Sequence, residues 1–167
     1  MDQLSLIEKR HSVRSFSDKE IRKEDLEKLL KAAIEAPTGR NSQDLYFVLV
    51  EDSSVKDKIL EELGIGRNFY GAKAILFTFA KNADHLNELN VGAAIENVLL
   101  EATDLGLSSC WIHSVVPTLQ SEKGKEVLKE NLKLEGEILP FDCVALGYIK
   151  GEEPLKKRKS GDGSKIL

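Results

Sequence analysis

Cysteine, histidine and tryptophan are scarce in this 167-residue chain, which has two, three and one of them. Cys110 and Cys143 stand far apart, with no C-x-x-C and no histidine at zinc-ligand spacing, which argues against a disulfide framework or a structural metal site. Both lie in apolar runs, where a free cysteine behaves as a small core hydrophobe rather than a nucleophile. His11, His85 and His113 are dispersed and show no triad pattern. G-x-S-x-G, the P-loop and H-E-x-x-H are all missing, and Gly64, Ile65, Gly66 ends in Phe69 where a dinucleotide fingerprint needs glycine. No apolar run approaches the roughly 18 residues of a membrane span, and Glu8, Lys9 and Arg10 interrupt the place where a signal peptide needs its apolar region. An excess of positive charge is missing too: 24 Lys and Arg against 28 Asp and Glu leave a net charge of −4. Nucleic-acid phosphates select for concentrated basic residues, so any anion site here must be local. These absences describe a soluble, cytoplasmic protein with no nucleic-acid partner, no membrane partner and no metal.

What the chain does have is aliphatic content, with 41% hydrophobic residues, and a length that suits one domain over 1–167, with residues 150–167 as an extended basic tail. Ser17 and Glu20 have capping-box spacing and predict a helix start. Leu26, Leu29, Leu30, Ala33 and Ile34 continue it as one apolar stripe until Pro37. Tyr46–Val50 and Ala74–Phe79 read as buried strands, with a helix over Val55–Leu63 between them that Gly64 closes, and residues 65–72 as loop. Leu86–Leu105 keeps a helical period but is apolar nearly all round, which suits a helix central in a core or packed on a second subunit. A strand over Ser109–Val116, a polar helix over Ser121–Asn131 and a last strand over Phe141–Ile149 follow. The order is not a clean βαβ repeat, so a layered α+β sandwich is favoured over a doubly wound parallel sheet.

Three constellations could carry chemistry. Arg10, His11, Ser12, Val13 and Arg14 put two guanidiniums and a hydroxyl within five residues, a donor set that suits a phosphate and equally a solvated basic turn. Lys156, Lys157, Arg158 and Lys159 form a basic cluster near the other end, either a solvated tail or a second clamp on the same anion. Pro37, Thr38, Gly39, Arg40, Asn41, Ser42 and Gln43 form a loop whose carboxamides could read the edge of a planar heterocycle, or simply make a turn. A phosphate plus a heterocycle, with no nucleophile or metal of the protein's own, points to a borrowed cofactor.

With these residues in view, the chain resembles the FMN-dependent nitroreductases. The resemblance rests on Arg10, His11, Ser12, Val13, Arg14 and Phe16, then Ala36, Pro37, Thr38, Asn41 and Gln43. It continues through Gly92–Asn97 and Leu105–His113 to Leu146, Gly147, Tyr148 and the basic tail, covering nearly the whole chain in the family's order. It implies an α+β layered sandwich with a central mixed sheet flanked by helices, in an intertwined homodimer with FMN at each subunit interface. It also implies ping-pong transfer of hydride or electrons from NADH or NADPH, through FMN, to a nitro compound, a quinone or a similar small-molecule acceptor. Residue by residue, Arg10, Ser12 and Arg14 would hold the phosphate and ribityl chain, with His11 beside them. Pro37, Thr38, Asn41 and Gln43 would approach the flavin from the partner subunit. Ile112, His113 and Ser114 would run along the ring through backbone groups, with His113 also a candidate to face the acceptor, and Lys156 and Arg158 would complete the phosphate clamp. No protein side chain is assigned as obligatory for the chemistry, which belongs to the flavin. The small-residue helix over Leu86–Leu105 would form the dimer core.

The chain departs from the family pattern at Asp44 and Leu45, where many members have Pro and Trp, and at Lys73, where a Pro often precedes the middle strand. It has no lysine between Arg67 and Tyr70 and lacks the long insertion that partly covers the flavin in larger members, which implies an open acceptor site. Because the reductase reaction requires no particular side chain, a dimeric flavin-binding or interaction module with little turnover is the alternative.

Overall fold

A computed structural model describes residues 2–152. Strands β1 (Leu45–Val50), β2 (Ala74–Ala80), β3 (Ser108–Ile112) and β4 (Leu139–Gly147) form a sheet in the order β1-β2-β4-β3. All three ladders are antiparallel, so the mixed character expected of the sheet reduces to one parallel bridge between Ser12 and Ser109. Every residue of β2 is buried, which explains its unbroken apolar run: a strand covered on both faces gains from apolar residues at odd and even positions alike. Its one hydroxyl, on Thr78, is satisfied by donating to the Asp142 carbonyl at 2.7 Å. At the sheet edge, β1 buries only Val50 fully, so the expectation of a buried strand there was too strong.

The helices are α1 (Gln3–Lys9), α2 (Lys23–Ile34), α3 (Ser53–Leu63), α4 (Asn87–Asp104), α5 (Val116–Gln120) and α6 (Glu122–Leu132). Strand alternation sends Ile75, Phe77, Phe79, Cys143 and Ala145 to one face, against Ile59 of α3, Leu119 of α5 and Leu128 of α6. Ala74, Leu76, Val144 and Leu146 go to the other, against Leu26 and Leu29 of α2 and Val91, Ile95, Val98 and Ala102 of α4. The result is a helix–sheet–helix sandwich, stabilised by roughly 1.5–3 kcal/mol for each large aliphatic side chain fully buried. It also explains the broad apolar surface of α4: most of it is buried within the chain's own core, while Leu89 remains 71% exposed. Among the described residues no helix is long and apolar enough to cross a membrane.

Two local expectations are corrected. Helix α2 starts at Lys23 and not at Ser17: the Ser17 N–H that Glu20 would accept in a capping box donates instead to the Tyr148 carbonyl at 2.8 Å, and Glu20 pairs with Lys73 at 2.6 Å. The helix is anchored by Asp25 in its first turn, whose fully buried carboxylate accepts from Arg22 Nε at 2.8 Å and Nη2 at 3.0 Å. Strand β3 ends at Ile112 and does not reach Val116: the Val116 N–H turns back to the His113 carbonyl at 3.0 Å, and α5 begins there with Pro117 in its first turn. Helices α1 and α5 carry no long apolar period, and α1 buries no residue fully, so neither left a periodic signal.

Candidate functional site

The segment from Arg10 to Ser17 is extended and stitched to two elements. The Val13 N–H donates to the Ser109 carbonyl of β3 at 2.9 Å, and the Lys150 N–H donates to the Ser15 carbonyl at 3.0 Å. Phe16 makes an antiparallel bridge to Ile149 and is buried over Gly147, where an added Cβ would lie 2.9 Å from Phe16 Cδ1. Alternation along such a segment places Arg10, Ser12 and Arg14 on one side and His11 and Val13 on the other. Val13 is buried and lines, with His11, a cavity of about 80 Å³ closed by Thr103, Leu107 and Ser109. His11 Nδ1 lies 3.0 Å from the Lys9 carbonyl, and its Nε2 is buried without a partner. Arg14 is exposed, and Arg10 lies 3.6 Å from Glu96 of α4.

The charges of this segment are felt at β3. Burial pushes the Cys110 thiol up, while Arg14, a hydrogen bond from Ser12 and Arg10 act in the opposite direction with less effect. Two guanidiniums and a hydroxyl thus converge beside one edge strand, a donor set that fits a phosphate.

At the far end of β3 the chain turns through His113 and Ser114. The exposed Ser114 hydroxyl accepts from Asn68 Nδ2 at 3.0 Å. Asp142 on β4 is buried among apolar neighbours, and its Oδ1 accepts from Trp111 Nε1 at 2.8 Å and pairs with His113 Nδ1 at 2.7 Å. The His113 ring is otherwise open, with its side chain 82% exposed, and is not the satisfied core histidine that a strand position suggests.

The Pro37–Gln43 loop sits beside the start of β1 and the first turns of α4. Arg40, Asn41 and Gln43 all adopt left-handed backbone, with φ of 58°, 52° and 52°. Such conformations cost about 1 kcal/mol or more each and persist only where surrounding bonds enforce them. Here the bonds are Gly39 N–H to Asn90 Oδ1 at 2.8 Å, Gln43 N–H to Thr38 Oγ1 at 3.0 Å and Arg40 Nη2 to Asp84 at 2.6 Å. The Leu86 N–H, with help from Arg40, holds the Asp84 carboxyl below the usual range. Asn41 and Gln43 present exposed carboxamides joined at 3.2 Å, and Gln43 lines, with Ala33, Thr38, Leu45 and Phe47, a cavity of about 220 Å³.

A family model described as "Putative TM nitroreductase" matches residues 2–166. The chain belongs to the nitroreductase family. It is 36% identical over 155 residues to a "Putative NADH dehydrogenase/NAD(P)H nitroreductase" of Archaeoglobus fulgidus, covering 90% of this chain and 87% of that one. A nitroreductase with bound FMN from Bacteroides fragilis superposes with a TM-score of 0.83 at 25% identity, over 100% of this chain and 99% of the other. Another with bound FMN, from Desulfitobacterium hafniense, gives 0.86 at 20% identity over the full length of both, a likeness of fold.

In this nitroreductase-family sandwich the strand order decides which expected site residues meet. Arg10, Ser12 and Arg14 lie in the segment bridged to β3, the strand that ends at Ile112 and leads into His113 and Ser114. Pro37, Thr38, Asn41 and Gln43 lie by β1 at the opposite sheet edge, three strand spacings or roughly 14 Å across. His11 faces inward, away from the Arg10 and Arg14 side. Lys156 and Arg158 lie outside the described residues. Sequence reasoning missed Asp142, although a lone acid in the apolar run Pro140–Gly147 was a legible signal: a buried carboxylate needs partners.

Proposed function

We propose that this chain is an FMN-dependent NAD(P)H oxidoreductase that passes hydride or electrons to nitro compounds, quinones or similar small acceptors by a ping-pong mechanism. The observation that carries the reading is the convergence of Arg10, Ser12 and Arg14 on the edge strand that ends at Ile112, just before His113, in a chain of this family. The flavin, when bound, supplies the redox chemistry. Arg10 and Arg14 hold its phosphate by charge-assisted bonds, and Ser12 adds a neutral donor. Ile112, His113 and Ser114 lie along the ring through their backbone groups. Lys156 and Arg158 complete the phosphate clamp.

The site is completed in a homodimer. Pro37, Thr38, Asn41 and Gln43 are at the wrong sheet edge to reach the same ligand within one chain, so a second copy presents them. The exposed Leu89 of α4 and Leu4 of α1 support that association, since they are large apolar side chains open to solvent in the single chain. The corresponding setting is the cytoplasm, where NADH and NADPH are available. Residues 1–167 act as one domain.

The visible spectrum of purified protein reconstituted with FMN tests the cofactor, and bleaching by NADH or NADPH tests the activity. Arg14→Ala removes a charge-assisted contact worth roughly 1.5–3 kcal/mol, so FMN affinity falls about 10- to 150-fold. Wild-type affinity in that variant refutes the phosphate assignment. Yellow protein that no nicotinamide bleaches supports the binding-module alternative, and protein that takes up no FMN refutes both.

A further inference from the structure

We propose that His113 delivers the proton that the acceptor needs, with Asp142 as the residue that positions its ring. This rests on the flavin reading above and adds to it a side chain with a chemical role.

The geometry starts from Asp142. Its side chain is only 10% exposed and lies in a strand that is otherwise apolar, where an unpaired charge is costly. Two donors satisfy it, both from the end of β3: Trp111 Nε1 at 2.8 Å and His113 Nδ1 at 2.7 Å, on the same oxygen. Indole N–H can only donate, so Oδ1 accepts from Trp111; a carboxylate has no hydrogen to give, and we assign the hydrogen between Asp142 and His113 to His113 Nδ1 on that ground. That assignment leaves Nε2 as the ring atom that gains and loses a proton. Carboxylate and imidazole have the relation in which a buried acid fixes the tautomer and orientation of a working histidine.

Position supplies the second half of the argument. The His113 side chain is 82% exposed while its anchor is buried, so the ring is held at one nitrogen and open at the rest. A histidine recruited only to neutralise Asp142 would be expected to lie down against the sheet. The ring stands at the turn after Ile112, the segment assigned to the flavin, where an acceptor taking hydride must dock. No other histidine is placed there: His11 faces the cavity behind β3, and His85 pairs with Asp84 near the start of α4.

Reduction of a quinone makes the need explicit. NAD(P)H supplies a hydride, two electrons and one hydrogen, which reaches the acceptor by way of the flavin, and the hydroquinone requires one further proton. The Nε2–H bond of protonated His113 breaks as an O–H bond forms at a quinone oxygen, the ring is left neutral, and water restores its proton. Trp111 and Asp142 hold the ring still between turnovers.

The test has two parts. In the cofactor-free protein, ¹⁵N NMR of His113 should show hydrogen on Nδ1 in the neutral ring, and Asp142→Ala should yield mixed tautomers; hydrogen on Nε2 in the wild-type neutral ring overturns the assignment. In the FMN-loaded protein, stopped-flow separates reduction by NADH or NADPH from reoxidation by 1,4-benzoquinone. His113→Gln should lower the ratio of the reoxidation to the reduction rate constant about 100-fold, within the usual range for a general acid. Added imidazole should recover part of the loss in His113→Ala. Equal slowing of both half-reactions, or a ratio within twofold of wild type, overturns the proposal while the flavin reading stands. Protein that takes up no FMN, or is not reduced by either nicotinamide, overturns both.

Discussion

Gly147→Ala tests whether the site segment is held as described. An added Cβ would lie 2.9 Å from Phe16 Cδ1 and 3.4 Å from Phe16 Cβ, against an ordinary contact of 3.4–4 Å. The ring must retreat by about 0.5 Å or more, yet it is only 5% exposed, and its backbone is bridged to Ile149. Relief therefore comes by shifting the 12–17 segment off the sheet. Overpacking of this kind costs about 1–3 kcal/mol, which in a chain of this size lowers Tm by roughly 2–12 °C. Because Arg14 is two residues from Phe16, FMN affinity should fall with stability. Thermal melts followed by circular dichroism, with FMN titration by fluorescence quenching, measure both. Phe16→Leu in the same chain makes room, so the double variant should melt above the sum of the two separate losses. A Gly147→Ala protein that melts like wild type, or a strictly additive pair, would refute the packing argument.

Two further outcomes follow from other parts of the molecule. Asp52 caps α3 by accepting from the Ser54 hydroxyl at 2.6 Å and the Ser54 N–H at 2.8 Å, and the hydroxyl bond is the leading cause of its lowered carboxyl pKa. A depressed folded-state pKa means its stabilisation is present above the usual carboxylate range and lost as pH falls through the lower folded value. Urea unfolding should accordingly show Asp52→Ala less stable than wild type at pH 7, with the gap closing as pH falls below the ordinary carboxylate pKa of about 3.9; a gap that widens in acid contradicts the cap. Burial pushes both thiols up, Cys143 strongly, and both are nearly inaccessible. Ellman's reagent should react with them slowly in the native protein and promptly in guanidinium, and two fast native thiols would contradict their burial.

The fold was legible where physics acts locally or by period. The α2 and α4 stripes, the buried run of β2 and the polar helix over Ser121–Asn131 each leave a pattern that tertiary packing then uses. The start of α2 was misread because Ser17 and Glu20 satisfy the same bonds with Tyr148 and Lys73, residues far away in sequence. Of the site, the basic segment was visible as donor chemistry, and so was the loop at Asn41 and Gln43. Their separation to opposite sheet edges is a property of strand order, which no window of sequence contains. Asp142 shows the same limit: an acid in an apolar run announces that it has a partner, but only the β3–β4 register identifies Trp111 and His113.

The bonds that fix the Arg10–Ser17 segment run to β3, to the Tyr70 carbonyl and to residues 148–150, and Phe16 and Ile149 meet across roughly 130 residues of chain. On a ribosome Arg10 and Arg14, the arginines proposed to hold the phosphate, emerge long before the surface that seats them, and at about 5–20 residues per second they wait roughly 7 to 27 s for it. Closing so long a loop is deferred until the strands have already formed the sheet. The ligand site is accordingly among the last parts of the molecule to be assembled, and cofactor uptake reports completion of the whole fold rather than of its N-terminal region.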